Sequence, residues 1–362
     1  MWDFGSIVMA LTSNDSAAAE WLAEFLEPWF TPSLQAAEWR VRLSLSRDAY
    51  AELKDRCPVD AVPRPCFTRD RQTLSLPAWP ADGRVAVADA ERSCFLIASP
   101  SEVDIVADPD TQRWRFPLMW VFREIAATRA RQTQLELHAA AVEAAGRAIL
   151  ISGPKWAGKT TLCIHLLRSG QCRLIANDRV FAGGAVTSGF AVRGVPTAVK
   201  LRPDTVAQFP ELRRGLPRVP RLYLHTLAEL AQLNAAEEVP EAAELTLSPA
   251  QLAHQLHVEA LGSAPLGAIV FPELRPDVES WAVERMTPTD VSAQIWANLY
   301  GGQPGRRAPT LFEDFDGGAS FPSRSLADAL SQVVPGYRVI LGRHAYAEPK
   351  GACRLLETLA AS

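Results

Sequence analysis

The chain has 362 residues, 48% of them apolar and 22% charged, with a formal net charge of −4 at pH 7. That balance excludes a disordered chain and argues against an electrostatic nucleic-acid binder, which carries a marked basic excess. The length allows one large domain or two smaller ones.

In chain order, Ser13-Asn-Asp-Ser16 offers caps for a helix over 17–26 that Pro28 stops. The alternation Trp39-Arg-Val-Arg-Leu-Ser-Leu-Ser46 predicts a half-buried strand. Short apolar runs at 85–88 and 95–98 predict two more strands. Residues 1–115 thus read as a small, strand-rich α+β domain without a catalytic signal, and 116–362 as a larger α/β domain. A helix is predicted over 117–129, with Leu118, Val121, Phe122 and Ile125 on one face.

From residue 134 the texture changes. Strands are predicted over 135–142 and 148–152 around a turn at Glu143-Ala-Ala-Gly146. A Gly-rich loop follows, then a helix over 159–167 ended by Gly170, and a strand over 173–176 running into Asn177-Asp178. Alternating strands are expected beyond Gly183-Gly184 to about Leu201, and Pro-rich, helix-prone sequence over 203–255, with 210–224 as an irregular excursion. A buried strand at 266–271, a helix over 287–300, a mobile loop over 301–307, a strand at 337–341 and a terminal helix complete the series.

The six cysteines (Cys57, Cys66, Cys94, Cys163, Cys172 and Cys353) are scattered, with no C-x-x-C pair. They read as reduced structural thiols rather than a disulfide framework or a zinc set. No run approaches the roughly 18 apolar residues of a membrane span. The start, Met1-Trp-Asp-Phe-Gly, lacks the basic and apolar segments of a signal peptide. A cytoplasmic protein, with no membrane and no nucleic-acid partner, is the expectation; self-association is left open.

Gly153, Pro154, Lys155, Trp156, Ala157, Gly158, Lys159 and Thr160 spell a full G-x-x-x-x-G-K-[ST], set between a predicted strand and a predicted helix. Terminal glycines let successive backbone N–H groups converge on phosphate oxygens, and the helix start adds the positive end of its dipole. Lys159 is expected to reach the β- and γ-phosphates and Thr160, with Thr161 beside it, to serve Mg²⁺ and the nucleotide. Lys155 reads as a solvated loop residue or a second phosphate contact. Of the 37 basic residues only Lys54, Lys155, Lys159, Lys200 and Lys350 are lysines, so two of five sit in this loop.

The flanks carry a resemblance. His138 stands fifteen residues before Gly153, Arg173-Leu-Ile-Ala-Asn-Asp178 follows the loop's helix, and Ala191-Val-Arg193-Gly194 lies beyond. In these three segments 134–202 resembles the HPr kinase/phosphorylase family of P-loop serine kinases, with a weaker echo over 264–341. The resemblance implies a P-loop kinase domain with a mixed, strand-rich sheet of the kind shared with phosphoenolpyruvate carboxykinase. It also implies ATP and Mg²⁺ as cofactors and a peptide or protein hydroxyl as acceptor. Relatives of this type also occur beside peptide-modification systems.

Asp178 fits a general base for a serine hydroxyl or a metal-linked carboxylate, and equally a residue closing a turn. His138 fits a group that tunes Asp178 or orients the substrate, or a hydrogen-bonded strand histidine. Arg193 fits a phosphate contact or a snorkelling strand arginine. Two positions depart from the family pattern: Asn177 replaces the first acid of an Asp pair, and Ala191 an acid before the arginine. The expected activity is therefore phosphoryl transfer from ATP to a serine or other hydroxyl, without efficient phosphorolysis. The alternatives are a non-catalytic nucleotide-binding regulatory or assembly subunit, and a small-molecule kinase.

Overall fold

The computed structural model describes residues 1–5, 7–69, 72–217, 219, 221–233, 244–275, 277–300, 309–317, 323–342 and 350–360. The chain is mixed α/β with two large mixed sheets. It divides into two units, Met1–Gln132 with Gly301–Phe321, and Thr133–Tyr300 with Pro322–Ser362. The mobile loop expected at 301–307 lies outside the described residues.

The first unit holds β1 (Trp2–Asp3), β2 (Val8–Ser13), β3 (Thr31–Pro32), β4 (Trp39–Leu45), β5 (Val62–Arg69), β6 (Gln72–Ala81), β7 (Arg84–Asp89), β8 (Cys94–Ser99) and β9 (Glu102–Ala107). They form one sheet in the order β3-β1-β2-β4-β9-β8-β7-β6-β5. The alternation in β4 is real: Trp39, Val41 and Leu43 are buried while Arg40 and Arg42 face water. Parallel pairing puts Arg40 beside Glu102 and Arg42 beside Asp104 of β9, so the solvent face is laced by opposite charges across strands. Helix α1 (Ser16–Leu26) is capped by Asp15, whose carboxylate accepts from the Ala17 N–H. Helix α2 (Arg47–Asp55) follows, and its exposed, charged sequence is why no apolar stripe announces it.

Helix α3 (Arg115–Arg131) corrects two expectations. It is buried almost all round rather than along one face. It belongs to the first unit, so the division falls at Gln132 rather than at 115. The reason is a buried charge network: Arg131 Nη1 donates to Glu124 Oε1 and to Glu313 Oε1, both at 2.9 Å. Glu313 lies in the short helix Leu311–Phe315, which this network ties to α3 far away in sequence.

The second unit holds β10 (Leu135–Ala144), β11 (Arg147–Ser152), helix α4 (Lys159–Arg168), β12 (Cys172–Ala176), β13 (Arg179–Ala185), β14 (Gly189–Gly194), β15 (Val199–Leu201), β16 (Leu245–Leu247), β17 (Ser263–Leu274), β18 (Ala282–Arg285) and β19 (Gly336–Leu341). β10 and β11 form the expected hairpin, turning at Ala145 (φ 49°) and Gly146 (φ 82°). β17 runs parallel to both β11 and β19, while β10, β13, β14 and β17 are joined antiparallel. Because β11 also pairs β17, the strands β11, β10, β13, β14 and β17 close a circuit of pairings. β13 runs straight through Gly183-Gly184, whereas strands were expected only beyond these glycines. A Cβ at Gly183 would lie 2.5 Å from Gln134 Cγ, so here glycine serves close approach rather than a turn. Within 203–255, β16 pairs β15, an extended piece its short sequence does not announce.

The apolar run of β11 is buried on both faces, as parallel strands between helices are. Ile149 and Ile151 pack with Leu162 and Leu166 of α4 and with Leu355 of the helix Lys350–Ala360. Leu150 faces the other way, with Ile295 of the helix Pro288–Ala297 and Leu330 of the helix Arg324–Val333. The result is helix, sheet, helix. Among the described residues no helix is long and apolar enough to cross a membrane.

Candidate functional site

The Gly153–Thr160 loop leaves the carboxyl end of β11 and enters α4 directly. It sits where three parallel strands end, the position at which open α/β sheets bind ligands. Gly158 is left-handed (φ 94°), and a Cβ there would come within 3.0 Å of Leu341 Cδ1 and 3.1 Å of Leu274 Cδ2 at the ends of β19 and β17. A larger residue would be strained at this φ and would need the Leu341 and Leu274 side chains to give way. Lys159 is buried, and its Nζ donates to the carbonyls of Gly153 (2.9 Å) and Pro154 (3.0 Å), so the ammonium lies inside the loop. Thr160 and Thr161 are half-buried in the first turn of α4. Trp156 is left-handed too (φ 76°), and the residue is 57% exposed.

Strand register carries the remaining residues to this loop. Ala139 of β10 pairs with Ser152, the last residue of β11, so His138 stands next to the loop's entry. On the far side of β10, the link between β12 and β13 brings Asp178 in: the Ala139 N–H donates to the Asp178 carbonyl at 3.1 Å. His138 Nε2 and Asp178 Oδ1 are 2.9 Å apart. The histidine is held from behind as well, because its backbone N–H donates to the Asn298 carbonyl at 3.0 Å and its ring meets Tyr300 edge-on at 6.4 Å. Asn177 is engaged differently, accepting from the Thr197 hydroxyl at 3.2 Å. The structure thus joins His138 to Asp178 and sets both beside the strand end that opens the loop.

Arg193 lies half-buried on β14, opposite Phe181 of β13, and Ala191 is exposed on the same strand. Next to Asp178, Arg179 is buried and its Nε donates to Glu136, with its guanidinium 4.8 Å over the Tyr300 ring. This buried pair fixes the β10–β13 step from which Asp178 projects. Thr197, Asn298 and Tyr300 carry no motif: Asn298 and Tyr300 reach the site through the bridge of Leu137 with Leu299, and Thr197 through its hydroxyl on Asn177. Arg202 was likewise missed: its guanidinium carbon lies 3.2 Å from the centroid of Trp156.

The donor set suits a polyphosphate: backbone N–H groups at a glycine loop, a buried ammonium and a helix start. The Ser152 hydroxyl, fully buried at the loop's entry, has no hydrogen-bond partner among the described residues. A hydroxyl at Thr160 and a carboxylate at Asp178 are hard oxygen donors of the kind Mg²⁺ takes alongside phosphate and water. Among the described residues no group of three or more His, Cys, Asp and Glu is placed to hold a metal alone. No protein-family model matches the chain, and no curated protein matches it.

Proposed function

We propose that the chain is a P-loop kinase that transfers the γ-phosphoryl group of ATP to a serine or other hydroxyl of a peptide or protein. The observation that carries this reading is the 2.9 Å contact of His138 with Asp178 on the strand beside the glycine loop. A hydroxyl is a poor nucleophile and needs a carboxylate to accept its proton as the new bond forms. Asp178, with its side chain 34% exposed, is within reach of an acceptor from solvent, while His138 Nε2 contacts its Oδ1. Lys159, Gly153 and Gly158, with Pro154, Lys155, Trp156 and Ala157 between, cradle the phosphates, and Thr160 and Thr161 open the helix behind them. Mg²⁺, held by Thr160 and the phosphates themselves, would neutralise charge on the phosphates; Arg193 is assigned to the phosphate side. Asn177 cannot take a proton, which leaves Asp178 as the base.

The test is incubation with labelled ATP and candidate peptides encoded nearby, beside calorimetric titration of ATP. Label on a polypeptide, lost in Lys159→Ala together with ATP affinity, is the expected result. ATP binding with no label on any polypeptide would instead make the chain a nucleotide-responsive regulatory subunit. Unchanged affinity and turnover in Lys159→Ala would remove the phosphate-loop assignment.

A further inference from the structure

Trp156 is the one aromatic among the large apolar side chains that stand well exposed in the described residues. It is also held at φ 76°, a region that bulky residues rarely adopt. Such backbone outliers persist where the surroundings over-determine them, and they cluster at ligand sites. No burial of the ring compensates here. What the conformation achieves is to present the indole face outward from the loop, and Arg202 lies on that face with its guanidinium carbon 3.2 Å from the ring centroid.

Arg202 is set there from below. Leu201, at the end of β15, is fully buried, and Pro203 holds Arg202 in extended backbone (φ −76°, ψ 158°). Lys155 Nζ is 5.5 Å from the same ring. Lys159 is bonded to the carbonyls of the two residues that begin the loop. Lys155 and Arg202 therefore meet on the ring of one loop residue. Neither Lys155 nor Arg202 has a carboxylate partner among the described residues, although the chain as a whole is acidic. These two like charges repel, and a polyanion would relieve that repulsion.

We propose that Arg202 is a further phosphate-binding cation of this site, seated on Trp156 and contacting the outer phosphates of a bound polyphosphate. The proposal rests on the phosphate-binding reading of the loop and adds to it a residue outside the motif. An exposed cation–π contact is weak beside a charge-assisted bond to phosphate, so the stack serves as a resting seat rather than a competitor. Arginine suits both roles, because its planar fork stacks on a ring and still bonds phosphate bidentately.

Calorimetric titrations of ATP, AMP and inorganic tripolyphosphate against the full chain test this, with a urea midpoint measured on each variant to establish folding. Arg202→Ala should weaken ATP and tripolyphosphate by about 10- to 100-fold, the range for a lost hydrogen bond to a charged group, and leave AMP within about twofold. Trp156→Ala should lose a similar factor, Trp156→Phe should retain affinity, and the double variant Trp156→Ala/Arg202→Ala should be no weaker than Arg202→Ala alone. Unchanged tripolyphosphate affinity in Arg202→Ala, with Lys159→Ala still impaired, would overturn this proposal and leave the loop reading standing. An equal loss for AMP would overturn it too and assign the stack to the nucleoside. No binding of ATP or tripolyphosphate by the wild-type chain would overturn both.

Discussion

His165 lies on α4, the helix the glycine loop feeds, and is wholly buried between the rings of Phe209 (5.0 Å) and Trp281 (5.9 Å). Neither ring nitrogen has a hydrogen-bond partner among the described residues. Burial, helped by the Arg168 cation one turn on, pushes its pKa down from the ordinary 6.5 to about 4. The unfolded chain therefore binds a proton between those values that the folded chain refuses. Stability from this group is complete above about pH 6.5 and is lost as the pH falls toward about 4. Each pH unit is worth about 1.4 kcal/mol, so the full difference comes to about 3 kcal/mol, and about 2 kcal/mol of it is gone by pH 5. His165→Leu, close in volume and without a titrating group, should lack this component while losing little at pH 7.5. Urea unfolding of both chains from pH 7.5 to 4.5 measures it as the gap between two curves, which cancels the carboxylates they share. By pH 5 the wild-type melting temperature should have dropped by roughly 4–8 °C more than the variant's. Parallel curves across that range would show that folded His165 takes up its proton as readily as the unfolded chain does, and the account of the α4 interior would fail.

Other outcomes can be stated as briefly. Asp178→Asn should cut transfer by about 10²- to 10⁴-fold while keeping ATP affinity, and Asn177→Ala should not; equal losses in a labelled-ATP assay would make the turn structural. With one carboxylate at 177–178, phosphorylated product incubated with excess phosphate should release little pyrophosphate, and release at the forward rate would refute the single-base scheme. Arg131→Met leaves Glu124 and Glu313 buried without their shared cation, so denaturant unfolding should show a loss of about 3–5 kcal/mol. Burial pushes the Cys66 and Cys163 thiols up to about 12 and Cys94 well above its usual range. In the native chain at pH 8 all three should resist iodoacetamide, read by peptide mass mapping, and react only in urea.

Much of the second unit's local structure is legible along the chain. The hairpin of β10 and β11, the glycine loop and α4 are adjacent in sequence, and their signals (an apolar run, paired glycines, a helix ended by Gly170) act over a few residues. The alternation of β4 belongs to the same class. Where a signal is ambiguous by itself, partners settle it. Gly183-Gly184 has the composition of a turn, yet pairing with β10 and β14 on either side keeps β13 extended through it. The apolar residues of α3 suggest one buried face, but Arg131, Glu124 and Glu313 bury charge on the others, and Glu313 comes from a distant segment.

The same division runs through the candidate site. The residues of the motif, with Lys159 and Thr160 at the start of α4, follow from sequence because their chemistry depends on consecutive backbone atoms. His138 and Asp178 can each be nominated from sequence, but their 2.9 Å contact depends on β10 pairing with β11 on one edge and taking up the β12–β13 link on the other. Arg202 has no motif at all. It reaches Trp156 because β15 ends in a buried leucine and a proline then sets the chain's direction. Hydrogen-bond register and burial are properties of pairs of segments, so contacts between residues far apart in the chain were decided only when the sheet formed.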